Sequence, residues 1–199
     1  MNERKMDTAA LVQEVIHEIV SSPNWNEVLD IINDCKHGNP LGKNGDDRAK
    51  YVVKLLNMHY LGNGSQRIVM TSLKNELTSV VVKMPLDFTG FEDNDEEAYI
   101  WQQANDAVRY DIVPLYAWEE EFIISRRIEA FTTAEEGILF KDEIYTTYKR
   151  LRANGLIPID LHPERYEQWG LMDGRVVALD TARCILQDRA KRNLMVNVQ

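Results

Sequence analysis

A lysine, three carboxylates and a pair of glycines are the residues of this chain best placed by type and spacing to do chemistry. Gly62 and Gly64 fall in LGNGSQRIVM between two strand-like runs, and Lys83 ends the β-branched run VVVKM. Glu97 lies in the helical stretch NDEEAYIWQQA, while Asp160 and Asp180 close IPID and GRVVALD. A cation, carboxylates and a glycine turn are the materials of phosphate and divalent-metal binding. Each also has a plainer use. Hairpin glycines commonly serve only to admit positive φ. Glu97 stands three residues after Asn94, the spacing of an N-terminal capping box, and Glu96 is a competing carboxylate. A turn aspartate and a strand-end aspartate can also occur together by accident.

The order of these parts is more specific than any one of them. Gly62-Asn63-Gly64-Ser65-Gln66-Arg67-Ile68-Val69 fits the G-x-G-x-x-G-x-V pattern of the protein-kinase phosphate-covering loop, with Arg67 in place of the third glycine. Lys83 follows Val69 by fourteen residues, and VVVKM resembles the kinase V-A-I-K strand. Ile159-Asp160-Leu161-His162-Pro163, then Gly174-Arg175-Val176-Val177-Ala178-Leu179-Asp180, resembles the D-L-H-P loop and strand-terminal aspartate of aminoglycoside phosphotransferases and related kinase-like enzymes. The resemblance covers about residues 58–182, and the chain is also similar to small kinase-like proteins encoded by bacteriophages.

What the resemblance implies is an ATP cleft. In it Gly62, Gly64 and Val69 would cover the nucleotide, and Lys83 would pair with its phosphates, positioned by Glu97. Asp160 would orient or deprotonate the acceptor hydroxyl, and Asp180 would bind Mg²⁺ across the phosphates. The chain departs from the family's pattern beyond Asp160. Where an asparagine is expected five residues after that aspartate, Arg165 stands, and its guanidinium would repel a magnesium ion; alternatively a three-residue insertion brings Gln168 into the role. The expectation taken forward is that 164–167 bulge outward and Gln168 turns inward, anchored by Trp169. Asp180 is followed by Thr181-Ala182 rather than Phe-Gly, and the nineteen residues after it leave no room for an activation segment and a large substrate lobe.

The elements that must position these residues follow from periodicity. Apolar Leu11, Val12, Val15, Ile16, Ile19 and Val20 recur at helical spacing after Asp7, and Pro23 stops them. Asn26 is a cap for a second short helix, CKHGNPLGKNGDD over 35–47 reads as a loop, and a third helix spans roughly Arg48–Met58. Strands follow in LGNGSQRIVM and LTSVVVKM, a helix over 94–104, a hairpin in VPLYAWEEEFIISRRIEAF, and a helix from about Ala134 to Ala153 that ends at Asn154-Gly155. The fold expected is α+β: a helical module over 1–58, then a minimal bilobal kinase-like arrangement with an antiparallel-sheet lobe over 59–129 and a short helical lobe over 130–199.

Composition narrows the function. The 199 residues are 44% hydrophobic and 28% charged, ordinary for a globular chain. A formal charge of −9 argues against general nucleic-acid binding, which needs a positive field. The basic clusters Lys149, Arg150, Arg152 and Arg189, Lys191, Arg192 read as solvated helix faces. Cys35 and Cys184 match no ligand or redox spacing and are expected to be buried thiols without a disulfide. The four histidines lack the spacing of a zinc site, and the four tryptophans are expected to pack cores or hairpins. No apolar run is long enough to span a membrane, so a cytoplasmic protein is expected, in a host cytoplasm if phage-encoded. Two functions are carried forward: an ATP- and Mg²⁺-dependent phosphotransferase acting on a protein or small hydroxyl acceptor, and a catalytically degenerate pseudokinase that binds a partner protein.

Overall fold

The computed structural model describes residues 7–37, 45–64 and 66–187. They form an α+β fold that divides into two compact units, each made of two stretches of chain: residues 1–94 with 115–127, and residues 95–114 with 128–199.

The first unit opens with three helices, α1 (Thr8–Val20), α2 (Trp25–Lys36) and α3 (Gly45–Leu55). Helix α1 buries Leu11, Val12, Val15 and Ile19, the stripe that its spacing requires. The stretch expected as a loop over 35–47 lies, at 38–44, outside the described residues; Cys35 and Lys36 finish α2, and 45–47 begin α3. The helices share a core with a five-stranded sheet of β1 (His59–Asn63), β2 (Arg67–Thr71), β3 (Val80–Pro85), β4 (Leu115–Trp118) and β5 (Ile123–Arg126). The strand order is β1-β2-β3-β5-β4 and every pairing is antiparallel. Met70, Val82 and Ile124 stand side by side in register and belong to the core; Val69, Lys83 and Ile123 form the adjacent row, which the pleat turns to the other face.

Helix α4 (Phe88–Gln103) begins six residues before the expected start at 94. Asn94 is therefore inside a helix, and the capping box foreseen for Asn94 and Glu97 does not exist. Gly90 explains why the first turn is hard to read. A Cβ there would lie 2.2 Å from the Gln66 carbonyl oxygen, so close packing and not helix propensity selects glycine.

The second unit contains α5 (Asp106–Asp111), α6 (Ala134–Leu139), α7 (Lys141–Ala153) and the short strands β6 (Leu156–Pro158), β7 (Trp169–Met172), β8 (Arg175–Ala178) and β9 (Cys184–Leu186). The single helix expected over 134–153 is two, with Phe140 between them, its ring stacked on Phe131 at 5.1 Å. The capping box is here instead: Thr133 Oγ1 accepts from Glu136 N, while the Glu136 carboxylate accepts from Thr133 N. Strands β7 and β8 are joined by Asp173-Gly174 at φ 52° and 79°, the left-handed pair that a tight two-residue hairpin requires. Strands β6 and β9 pair antiparallel, and the core gathers around Trp169, Ile144, Leu151 and Leu156.

Arg150 is no solvated bystander. Its Nε and Nη2 donate to both oxygens of Asp111 at 2.5 Å, and Asp111 is 0% exposed. Arg189, Lys191 and Arg192 lie outside the described residues. Trp169 is in the core, Trp25 packs edge-on against Phe122, and Trp118, in register with Ile123 in the β4–β5 hairpin, is partly exposed. Both cysteines are buried free thiols, and no helix among the described residues is long and apolar enough to cross a membrane.

Candidate functional site

In the first unit, Lys83 occupies the middle of β3, opposite Val69 on one side and Ile123 on the other, and is 8% exposed. Lysine is almost never buried this far without compensation. Beside it, Gly64 N closes the glycine hairpin by donating to Arg67 O at 3.0 Å. A Cβ on Gly62 or on Gly64 would meet nothing within 4 Å, and Gly64 is not among the positive-φ glycines. Neither packing nor a left-handed backbone accounts for Gly64. The face of the hairpin is left open to close approach.

Arg67, in place of a third glycine, is buried and donates through Nη1 to Asn94 Oδ1 of α4 at 3.3 Å. The Asn94 Nδ2 is buried with no hydrogen-bond partner. Gln66 O accepts from Leu86 N at 2.7 Å and abuts Gly90, so the base of the hairpin is seated on the start of α4. Ser65 lies outside the described residues.

Glu97, Asp160, Gln168 and Asp180 belong to the second unit. Glu97 is on α4 and 6% exposed. Asp160 follows β6, and Asp180 stands two residues beyond β8. Backbone bonds draw these two turns together: Ile159 N and Asp160 N both donate to Arg183 O, at 3.0 and 3.3 Å, and Asp180 Oδ1 accepts from Ala182 N at 3.1 Å. Gln168 completes the tie. Its Oε1 accepts from His162 N at 2.9 Å, its Nε2 donates to Asp160 O at 3.0 Å, and its carbonyl accepts from Leu179 N at 2.8 Å. Trp169 Nε1 donates to His162 O at 3.0 Å.

The inward Gln168 anchored by Trp169 is thus present, but its amide oxygen faces a backbone N–H of the loop and serves as a brace. Arg165 is paired within the loop. Its Nη1 donates to Asp160 Oδ1 at 2.7 Å and its Nε to Glu167 Oε1 at 3.2 Å. The Arg165 guanidinium is held even more firmly protonated than usual by Glu167 and Asp160.

Cys184, buried in β9, marks where charge accumulates. Burial, reinforced by the negative charges of Asp180, Glu97 and Glu96, pushes its thiol up to about 12. Among the described residues no group of three or more His, Cys, Asp or Glu side chains is placed to hold a metal ion. The bracing role of Gln168 and the Arg150–Asp111 pair were missed in the sequence, where neither leaves a local signal. Compared with protein-family models and with curated proteins, the sequence finds no match in either set.

Proposed function

We propose that the chain is a kinase-like, ATP-dependent phosphotransferase acting in the cytoplasm on a hydroxyl of a protein or small molecule. The observation that carries the reading is Lys83, a lysine buried at the centre of an antiparallel sheet and in register with Val69 of an open glycine hairpin. The order of the remaining parts supports it: a helix with a buried glutamate, a hairpin, a long helix, an aspartate loop, and a hairpin strand leading to a second aspartate. The resemblance assigns nucleotide covering to Gly62, Gly64 and Val69 and phosphate binding to Lys83 in the first unit, and a supporting glutamate, Glu97, and the acceptor-handling aspartate, Asp160, to the second. Asp180, exposed two residues beyond β8, would hold Mg²⁺ across the phosphates, although among the described residues no group of three or more His, Cys, Asp or Glu side chains is placed to hold a metal ion by itself.

A second reading is favoured by one specific observation. Asp160 is engaged by Arg165, and the amide of Gln168 is spent on the loop. On that reading the chain is a pseudokinase that binds a partner protein without transferring phosphate.

The deciding experiment is thermal unfolding with Mg·ATP against Mg²⁺ alone, followed by an assay for ADP release. Binding raises stability by about 2.7 kcal/mol at a hundredfold excess over Kd. Stabilisation with turnover, both lost in Lys83→Ala, is the expected result. Stabilisation without turnover selects the pseudokinase. No shift at millimolar Mg·ATP would reject nucleotide binding altogether.

A further inference from the structure

The N-terminal helices carry no motif, yet α3 reaches the glycine hairpin. Asp46, in its first turn, is paired with Lys50 Nζ at 2.6 Å and accepts from Tyr60 Oη at 3.1 Å. The same hydroxyl meets Oδ1 of Asn63, the residue between Gly62 and Gly64. Asn63 Nδ2 donates to Gly64 O at 3.2 Å, and Gly64 N closes the hairpin on Arg67 O. A phenol has one proton to give, so the helix carboxylate and the hairpin amide compete for it. The β1–β2 register shifts between Tyr60 and Gly62, a bulge of the kind that re-aims a side chain. Every one of these residues is in the first unit.

We propose that Tyr60 is a positioning residue through which α3 sets the conformation of the hairpin Gly62–Gly64, making the helical module a regulator of that loop. The geometry stands on the contacts of Asp46, Tyr60 and Asn63. Its consequence for nucleotide affinity rests on the phosphotransferase reading. When the Tyr60 hydroxyl donates to Asp46, Tyr60 is drawn toward α3 and the Asn63 amide turns toward Gly64; when Asp46 is lost, the hydroxyl donates to Asn63 alone and Gly62–Gly64 is released from the helix.

The test is amide hydrogen exchange on the full chain without nucleotide, comparing wild type, Tyr60→Phe, Asp46→Ala, the double variant and Asp46→Asn. Removing one modest hydrogen bond should speed exchange at Gly64 about three- to tenfold in each of the first two. The double variant should show no more than the larger single effect, because the two residues act through one contact. Asp46→Asn keeps the acceptor and should restore protection. Additive effects, unchanged exchange at Gly64 in Tyr60→Phe, or equal acceleration at Leu151 in the core of the second unit would each overturn the proposal. A parallel Mg·ATP titration of the wild type tests the phosphotransferase reading independently. A wild type that fails to bind refutes that reading, while the exchange result still decides this one.

Discussion

Arg165 and Asp160, five residues apart in one loop, form an ion pair at 2.7 Å in which both side chains remain about half exposed, at 47% and 49%. A pair so open to water is worth at most about 1 kcal/mol, so it holds the aspartate without locking it. Arg165→Asn should therefore leave stability nearly unchanged. On the phosphotransferase reading it should also tighten Mg²⁺-dependent ATP binding about tenfold, the equivalent of roughly 1.4 kcal/mol, because a cation is replaced by an amide oxygen. Calorimetric titration at several Mg²⁺ concentrations measures this. Weaker binding in the variant would mean that Arg165 itself contacts phosphate.

Arg150 is where charge does affect folding. Removing it leaves Asp111 fully buried with its bidentate partner gone, and Arg150→Ala should lose about 3 kcal/mol. Denaturant unfolding checks the loss. Arg150→Lys should recover only part of it, since an ammonium cannot match both carboxylate oxygens at once. Full recovery would show that a point charge is enough.

Gly90→Ala tests the seat of α4. Alanine is the better helix former, so propensity alone predicts a gain; a Cβ 2.2 Å from the Gln66 carbonyl predicts a loss of about 2 kcal/mol through overpacking. A more stable variant would show that the first turn can shift without strain.

The two thiols give a prediction about pH. Cys35 is pushed up by burial, partly offset by Arg48, and Cys184 is pushed up to about 12. An acid whose folded value is raised binds more protons folded than unfolded between the two values. Its contribution is therefore complete below about pH 9 and declines as pH rises toward 12. Stability should fall across that alkaline window, and less steeply in Cys184→Ala. At pH 8 neither thiol should react with an aromatic disulfide reagent until the protein unfolds. Rapid labelling of native protein would contradict both burial and the raised values.

How much of this was legible in the sequence depends on how local the determining physics is. The stripe of α1, the hairpin over 115–126 and the helix stop at Asn154-Gly155 are written in neighbouring residues and appear where the sequence puts them. The early start of α4 is not, because Phe88-Thr89-Gly90-Phe91 lacks a helical stripe and is held by a contact with Gln66, far away in the chain. The break at Phe140 is invisible for a similar reason: its ring is satisfied by Phe131. In the aspartate loops, the residue types and the strand before Asp180 were readable, although β8 ends two residues short of that aspartate. The use of Gln168 was not. An amide in a loop can ligate, brace or face water, and the choice is made by His162 N and Asp160 O, groups whose positions exist only after folding.

Each unit is assembled from two separated stretches of chain, and this orders the events of synthesis. Strand β5 lies between β3 and β4 in the sheet, so the sheet cannot be completed until residue 126 has left the ribosome. By then residues 95–114, which belong to the other unit, have already emerged and have nothing of their own to fold upon. At about 5–20 residues per second they wait several seconds for residues 128–187 to be made. The nascent chain thus passes through a stage with the edge of β3 uncovered, exposed to pairing with whatever extended strand it meets first.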